Sequence, residues 1–374
     1  MKASRTPLAA GLLIAATVAP AAGLAQNPPP VGRMTGFTGV EARGLSFQSG
    51  LGVKSVTEVA VPFVVIWPTS PRLSFDLGGR YATVSYTPDS AAKSTISGLT
   101  DIQARGVYQL VPNTVVFTVA VNLPTGKTQL TSAQVPAAGA IASDMIPFPV
   151  ANFGSGFNVT SGLAVAVPVG GWAVGAAGSY RVNGGFTPFS DTSASYKAGG
   201  EFRLRLGADR IVGQSRVSLG FTFSSFAEDN FASSPIFQSG KRYIGQASWS
   251  FPIGNAGLAV YVWDLYRSAG STPITGVTTQ KRNVLTVGAS GSLQLGATVL
   301  RPMVEFRNHS LGTGSLAAAG KLFSLGARYE LPVNERMSLV PILRLDLGNV
   351  VNPSTSKAVS FTGWDAGVTL RATL

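Results

Sequence analysis

Residues 71–86 read PRLSFDLGGRYATVSY and alternate between apolar and polar side chains. Successive residues of a β-strand point to opposite faces of the sheet, so this stretch predicts a strand with one apolar and one polar face. The apolar register contains Leu73, Phe75, Leu77 and Tyr81, and the polar register contains Arg72, Ser74, Asp76 and Arg80. All the charged residues therefore fall on one face of the predicted strand.

The same alternation recurs along the chain in segments of about ten residues, the length typical of a strand that crosses a bilayer. We predict about sixteen strands, with 12 to 14 as the alternative. Their ranges are 38–49, 54–67, 71–86, 98–110, 114–123, 156–167, 172–183, 196–207, 215–226, 241–251, 256–266, 281–295, 298–307, 321–331, 336–348 and 360–374. Two segments, 59–67 and 257–265, are apolar on both faces, which favours a plug or an apolar lumen beside them.

The breaks between the segments alternate in length. Short breaks are 68–71, 111–114, 168–171, 252–256 and 332–335, and long ones are 87–97, 124–155, 184–195, 227–240, 267–280, 308–320 and 349–359. Outer-membrane barrels have short periplasmic turns and longer outer loops. We therefore predict an all-β fold: a transmembrane antiparallel up-and-down β-barrel, surrounded by lipid of the cell outer membrane.

Composition supports this fold class. Charged residues make up 12% of the chain and the mean hydropathy is +0.26. The longest apolar stretch after the leader, Val59 to Trp67, is far shorter than the roughly 20 residues of a spanning helix. Closed barrels are the other structure that satisfies every backbone polar group in lipid.

The N-terminus reads as a secretory leader. Lys2 and Arg5 precede an apolar core, and Gly23-Leu24-Ala25 offers small residues for cleavage. We predict three parts: a signal peptide (1–25), a periplasmic segment (26–37) and the barrel (38–374). There is no cysteine, so disulfides and a lipoprotein anchor are excluded.

The last predicted strand ends the chain on its outward register. This ending resembles the signal that outer-membrane proteins present to the barrel-assembly machinery, with Leu374 where Phe or Trp is usual. Tryptophans near the ends of strands, Trp67, Trp172, Trp249, Trp263 and Trp364, are predicted to anchor the barrel at the membrane interfaces. The sequence carries no signal for an oligomeric state.

Basic residues exceed acidic ones, with a formal net charge of +12. The arginines are scattered singly along strands rather than clustered, which argues against nucleic-acid binding. The residues predicted to line the lumen are Arg72, Arg80, Arg105, Arg203, Arg205, Arg216, Arg242, Arg301, Glu305, Arg307 and Arg344. A water-filled lumen with this surplus would favour anions, and the alternative is a structural ladder of Arg–carboxylate pairs.

The longest break, 124–155, is unusually apolar. Extended apolar surface commonly marks an interaction site, so we predict that this loop folds into the mouth and forms an apolar site where solutes enter. Its residues are Val135, Ile141, Met145, Ile146, Phe148 and Phe153. Aromatic and apolar residues of other long breaks could converge there: Phe186, Phe189, Phe226, Phe231, Ile236 and Phe237. The alternative is that these side chains pack loop to loop or against lipid headgroups.

Between residues 98 and 188 the sequence resembles the outer-membrane barrels of the MetA-pathway phenol-degradation family. The resemblance is carried by Gly98-Leu99-Thr100-Asp101-Ile102, Tyr108, Asn122-Leu123-Pro124-Thr125-Gly126-Lys127 and Phe153-Gly154-Ser155-Gly156, followed by two glycine-rich strands. It implies a transporter of small apolar or aromatic compounds.

Enzymatic activity is not predicted. The single histidine, His309, is assigned to the edge of a strand and a loop, where a lone histidine is typically a surface residue. No His/Cys cluster for a transition metal is present, and Glu228-Asp229-Asn230 falls short of a Ca²⁺ site. We therefore predict no catalytic residues, metal or cofactor. The predicted function is a channel for small apolar or aromatic solutes, with two alternatives: an anion-preferring diffusion pore and a non-transporting barrel that binds a partner through its loops.

Overall fold

The computed structural model describes residues 31–90, 92–273 and 275–374. The predicted signal peptide and residues 26–30 lie outside the described residues. The elements in chain order are β1 (Thr35–Phe47), β2 (Val53–Pro68), β3 (Leu73–Pro88), β4 (Ser94–Leu99), β5 (Ile102–Val111), β6 (Val115–Leu123), α1 (Val135–Ile141), β7 (Asn158–Val169), β8 (Trp172–Asn183), β9 (Gly185–Phe186), β10 (Tyr196–Lys197), β11 (Glu201–Val212), β12 (Ser215–Phe226), β13 (Glu228–Phe231), β14 (Ser234–Gln238), β15 (Arg242–Ile253), β16 (Ala256–Arg267), β17 (Lys281–Leu295), β18 (Thr298–Gly312), β19 (Ala317–Asn334), β20 (Met337–Val351) and β21 (Ala358–Thr373). Among these residues no helix is long and apolar enough to cross a membrane.

The large sheet closes on itself. β1 pairs antiparallel with β21 from Thr35–Thr373 to Phe47–Phe361, and each intervening strand pairs antiparallel with its sequence neighbour in the sheet. β4 and β5 both pair with β3 and together form one interrupted strand. The sheet is thus a closed barrel of sixteen antiparallel strands, which confirms the predicted fold class and strand number.

The two faces of the barrel differ as the sequence alternation predicts. On β20 the outward residues Leu343, Leu345 and Leu347 are 57%, 55% and 57% exposed, whereas the inward Arg344 and Asp346 are buried. Charge on the lipid face near the midplane would cost about 2–4 kcal/mol, so an apolar outer surface is what a spanning barrel requires. The exposed apolar band therefore faces lipid, and the inward register forms the lumen.

Two sequence predictions are corrected by the strand register. The sequence assigns Trp263 to a membrane interface, but this residue pairs with the buried Thr286 on the inward face of β16 and points into the lumen. Trp67, Trp249 and Trp364 are exposed on the outer surface, where interfacial anchors belong. β1 begins at Thr35, so residues 35–37 belong to the barrel and not to the preceding segment.

A second, four-stranded sheet caps part of the outer rim. It joins the loops after β8 and β12 in the order β14-β13-β10-β9. Tyr196 of β10 donates its hydroxyl to Asp229 at 2.7 Å, and Asp229 also accepts the Gly199 N–H at 2.7 Å. Burial and the bond to Asp229 raise the pKa of Tyr196. The cap therefore ties two outer loops into one unit above the lumen.

Candidate functional site

Residues 124–157, between β6 and β7, fold into the barrel and are called the lumen loop below. Its apolar side chains are buried against inward-facing residues of the barrel wall. The loop contributes Ala137, Ile141, Met145, Ile146, Phe148, Val150 and Phe153, and the wall contributes Leu45, Val56, Ala60, Ala82, Val84, Ile96, Leu322 and Phe361. This covered wall runs from β18 through β21 and β1 to β4. The apolar loop is therefore a partial plug. It also explains why the segment 59–67 has an apolar inward residue, Ala60, since this residue is buried in the same apolar core.

Three arginines of the covered wall hold the backbone of the lumen loop. Arg307 donates to the carbonyl oxygen of Met145 at 2.9 Å, Arg43 to that of Pro147, and Arg80 to that of Pro149 at 2.8 Å. The accepting carbonyls belong to every second residue of the loop, as expected when an extended segment turns one edge towards the wall. Pro147 and Pro149 have no backbone N–H, so these positions add no donor that would need a partner.

A carboxylate next to these arginines accepts a hydrogen bond from the next backbone N–H along the loop, that of Val150. Glu58 on β2 is fully buried, and its Oε1 accepts the N–H of Val150 at 2.7 Å. Backbone groups buried without partners are costly, so this contact and the three arginine contacts permit an irregular segment to lie inside the barrel. The arrangement fixes the loop by its backbone as well as by its apolar side chains.

The central arginine of the covered wall is itself embedded in a buried ionic network. Arg43 is paired with Asp346, which also accepts the Ser324 hydroxyl at 2.6 Å and lies 3.2 Å from Nε of Arg344. The guanidinium of Arg43 also lies 5.7 Å from the centre of the Phe148 ring, within cation–π range. Removing one partner of such a network leaves a buried charge unpaired.

The base of the lumen loop is clamped at the break between β4 and β5. Asp101 accepts the N–H of Gly126 at 3.0 Å and the N–H of Ser155 at 2.6 Å, so it joins the two ends of the loop. Thr125 Oγ1 accepts the N–H of Ile102 at 2.9 Å. A Cβ at Gly126 would lie 2.1 Å from the Phe153 carbonyl oxygen, so only glycine fits. Part of the stretch that carries the resemblance, namely Asp101-Ile102, Thr125-Gly126 and Phe153 to Ser155, thus forms this clamp.

The opposite wall, from β8 to β17, is basic and only partly covered. Near the outer ends of its strands it presents six inward arginines, which we call the basic wall: Arg181, Arg203, Arg205, Arg242, Arg267 and Arg282. Glu201 is shared by Arg203 at 2.7 Å and Arg242 at 2.8 Å. Asp144 of the lumen loop pairs with Arg282 at 2.7 Å. Among the described residues these ion pairs join two carboxylates to three guanidinium groups, so basic side chains outnumber their carboxylate partners on this side of the lumen.

Arginines nearer the periplasmic side are paired more evenly. Arg105 lies 2.7 Å from Asp76, Arg216 lies 3.0 Å from Asp209, and Arg301 lies 3.5 Å from Glu330. These are the Arg–carboxylate pairs that the sequence allows as the alternative to a selective pore. The surplus charge thus concentrates towards the outer end.

A cavity of about 340 Å³ lies between the lumen loop and the loop after β8, and we call it the mouth pocket. Its lining is mainly apolar: Ile96, Lys127, Thr128, Leu130, Ala138, Ile141, Ala142, Ala151, Asn152, Phe153, Gly154, Phe186, Pro188 and Phe189. Leu130 donates to the Pro188 carbonyl and accepts from the Ser190 N–H, both at 3.0 Å, which joins the two loops. The pocket is therefore held by backbone hydrogen bonds as well as by side chains.

The predicted loop residues divide between the pocket and the core. Ile141 and Phe153 line the mouth pocket, whereas Met145, Ile146 and Phe148 are buried against the covered wall. Val135, at the start of α1, is 40% exposed. Of the six residues from other loops, Phe186 and Phe189 line the pocket; Phe226, Phe231, Ile236 and Phe237 do not.

The predicted lumen residues fall into three groups. Arg80, Arg307 and Arg344 lie on the covered wall, and Arg307 also pairs with Glu305 at 2.8 Å. Arg203, Arg205 and Arg242 lie on the basic wall, and Arg105, Arg216 and Arg301 form the pairs nearer the periplasm. Arg72 lies outside β3, exposed in the turn that precedes it.

Sequence reasoning missed several residues that matter in these walls, including Arg43, Glu58, Arg181, Arg267 and Asp144. Alternation is enough to identify Arg43 and Arg181 as inward residues, since each falls on the register opposite the lipid-facing one of its own strand. The role of Asp144 could not be read from alternation, because it lies on the irregular loop.

His309 differs from its predicted place. It lies within β18, on the same inward register as Glu305 and Arg307, and its Nε2 is buried. The predicted strand ends at residue 307 and excludes His309, whereas the observed strand continues to Gly312. Within the described parts of the chain, no group of three or more His, Cys, Asp or Glu residues is placed to hold a metal ion.

No family model matches the sequence, and no curated protein matches it. Among solved structures, an outer membrane channel from Pseudomonas putida F1 is 13% identical, with a TM-score of 0.40, over 92% of this chain and 96% of that chain. Outer-membrane expressed OmpT of Vibrio cholerae is 11% identical, with a TM-score of 0.44, over 91% and 97%. The CymD monoaromatic hydrocarbon channel is 11% identical, with a TM-score of 0.42, over 92% and 89%.

Identities and scores this low carry no argument about function. The architecture rests instead on the strand pairing and on the apolar outer band. A closed antiparallel barrel of sixteen strands with a lipid-facing belt and a polar lumen is a protein of the outer membrane.

Proposed function

We propose that this protein is an outer-membrane channel for small solutes, and that its mouth favours solutes with an apolar or aromatic part. The observation that carries the proposal is the lumen loop, which lies inside the barrel and leaves an apolar pocket at the outer end. Barrels of sixteen to eighteen strands can enclose an aqueous channel, and an inward loop narrows it. The resemblance of residues 98–188 to the phenol-degradation barrels supports the same cargo class.

Liposome swelling tests the proposal with two solutes that do not cross lipid unaided. Phenyl β-glucoside and maltose are comparable in size, but only the first carries an aromatic ring. We expect flux of both, with phenyl β-glucoside faster. Deletion of residues 130–150 should speed both and abolish the difference, because it removes the constriction and part of the mouth pocket.

The outcomes separate the hypotheses. No flux of either solute through correctly folded barrels would favour a surface barrel that binds a partner through its loops. Equal flux of both solutes in the intact protein would favour a general diffusion pore. Resistance of the barrel to unfolding in SDS at room temperature serves as the folding control for the deletion.

A second candidate, a diffusion pore with anion preference, is favoured by the basic wall. Six arginines and two carboxylates face this part of the lumen, and rings of basic side chains select anions in other pores. Reversal potentials in a KCl gradient should then report more permeability for chloride than for potassium. The preference should weaken as salt rises, because the Debye length falls from about 10 Å at 0.1 M to about 3 Å at 1 M. A cation preference would reject this candidate.

A further inference from the structure

We infer that the preferred solutes are small organic anions that combine an apolar ring with a carboxylate, such as aromatic monocarboxylates. The inference rests on the proposed channel function and specifies its substrate class. It is carried by the position of the mouth pocket and the basic wall at the same end of the lumen.

The mouth pocket suits a ring. Its volume of about 340 Å³ lies in the size range of small-molecule sites, of which it is a small example. Phe153 and Phe186 both line the pocket, and the end of the lumen loop packs on Phe186, since a Cβ at Gly156 would lie 3.2 Å from the Phe186 ring. Phe186 is held edge-on to Tyr196 of the cap, with ring centres 5.5 Å apart. Aromatic rings fixed in this way offer contact area at little entropic cost.

The basic wall begins where the pocket ends. Gly154 lines the pocket, and the next residue, Ser155, lies with its hydroxyl 3.4 Å from a terminal nitrogen of Arg181. Beyond Arg181, the neighbouring strand carries Glu201 and Arg203, and Arg242 reaches Glu201 from β15. A guanidinium path thus leads from the pocket along the outer end of the basic wall.

The charges of this path are incompletely neutralised by the protein. Glu201 is shared between Arg203 and Arg242, and Asp144 is paired with Arg282. Asp101, the next nearest carboxylate, is engaged by the N–H groups of Gly126 and Ser155. Arg267, within the described residues, has no carboxylate within ion-pair distance. The wall therefore has charge left to bind an anion from solution.

Only an amphipathic anion uses both features. A neutral aromatic molecule gains from the rings but not from the arginines, and a chloride or acetate ion gains from the arginines alone. Guanidinium groups bind carboxylates through two parallel hydrogen bonds, and such charge-assisted bonds are stronger than neutral ones. A ring held in the pocket places an attached carboxylate towards Arg181 and the path beyond it.

Block of chloride current through the purified protein in planar bilayers tests the inference. At pH 7.5, sodium benzoate added to the outer side should lower the chloride current in a saturable way. Sodium acetate and the neutral phenyl β-glucoside should each need at least about tenfold higher concentration for the same block, since each lacks one of the two contacts.

Paired variants assign the two contacts. Arg181→Gln with Arg267→Gln removes two guanidinium groups that have no ion pair among the described residues, and it should weaken block by benzoate by about tenfold. Phe186→Ala with Phe189→Ala should weaken it by about threefold to tenfold and leave block by acetate unchanged. Arg336→Gln, in an exposed periplasmic turn, and Phe231→Ala, outside the pocket lining, are the matched controls and should leave both unchanged.

The failures of the two proposals are distinguishable. Absence of current in every salt would overturn the channel function itself. Current with equal block by benzoate and acetate would leave the channel function standing and overturn the inference. Equal block by benzoate and phenyl β-glucoside would overturn it in favour of neutral aromatic cargo.

Discussion

The two walls of the lumen use the same residue type for different tasks. On the covered wall Arg43, Arg80 and Arg307 donate to backbone carbonyls of the lumen loop, and Arg43 and Arg307 are buried. On the basic wall Arg203 and Arg242 share one carboxylate and stay partly exposed, with 22% and 17% of their side chains accessible. The difference shows that inward arginines of one barrel bind different groups according to what fills the lumen opposite them.

The largest expected effect comes from the covered wall. Arg43→Met leaves the fully buried Asp346 without its main partner and frees the Pro147 carbonyl. Breaking a buried ion pair typically costs about 3–5 kcal/mol, so we expect a loss of this size in the free energy of unfolding. Urea unfolding of the refolded barrel in lipid vesicles measures it. A loss below about 1 kcal/mol, the range of an exposed pair, would contradict the buried network.

A single backbone anchor should matter less. Arg80→Met removes the 2.8 Å bond to the Pro149 carbonyl. A hydrogen bond to a charged group contributes about 1.5–3 kcal/mol, so the docked loop should open more often. Single-channel recordings should show added fluctuations towards higher conductance, and recordings as quiet as those of the native protein would argue against the anchor.

The clamp at the base of the loop predicts a comparable or smaller effect. Gly126→Ala places a Cβ 2.1 Å from the Phe153 carbonyl oxygen and 2.6 Å from the Asp101 nitrogen. Overpacking costs about 1–3 kcal/mol, and here it should loosen both ends of the loop. Limited proteolysis within 124–157 measures the loosening. Gly139→Ala, on α1 where an added Cβ would meet only open space, is the control and should resist protease as the native protein does.

The smallest effect on stability belongs to the basic wall. Arg267→Met removes a guanidinium with no ion-pair partner among the described residues, so the free energy of unfolding should change by less than about 0.5 kcal/mol. The same variant should lower the chloride over potassium permeability ratio, because it removes one of the six charges. Unchanged selectivity together with strong destabilisation would reverse the roles assigned to the two walls.

Alternation predicted the barrel well and the lumen incompletely. Residues 71–86 and the fifteen segments like it indicate the strand number, because a period of two is set by the backbone and each lipid-facing residue must obey it. Inward residues have no such uniform surroundings, so alternation does not tell what each of them contacts. Arg80 and Arg203 look alike in sequence, yet one binds a loop carbonyl and the other shares Glu201.

The lumen loop marks the limit of sequence reasoning. Its apolar composition predicts an inward fold at the mouth, but Met145, Ile146 and Phe148 are buried against the covered wall and do not line the mouth pocket. The alternate carbonyls of Met145, Pro147 and Pro149 belong to the backbone, so no side-chain pattern could identify them as the groups that the arginines bind.

The lack of native cysteine makes the central claim directly testable by cross-linking. Lys127 of the loop lies against β4, since a Cβ at Gly98 would be 3.4 Å from the Lys127 Cβ, close to the spacing that a disulfide requires. Lys127→Cys with Gly98→Cys should therefore form a disulfide in the folded barrel under mild oxidation, and the cross-linked channel should keep its conductance. Lys127→Cys with Gln246→Cys, whose second site is exposed on the inward register of β15, is the control that should stay reduced. Failure of the first pair to cross-link, or cross-linking of both pairs alike, would contradict a lumen loop docked on one wall that leaves the basic wall open.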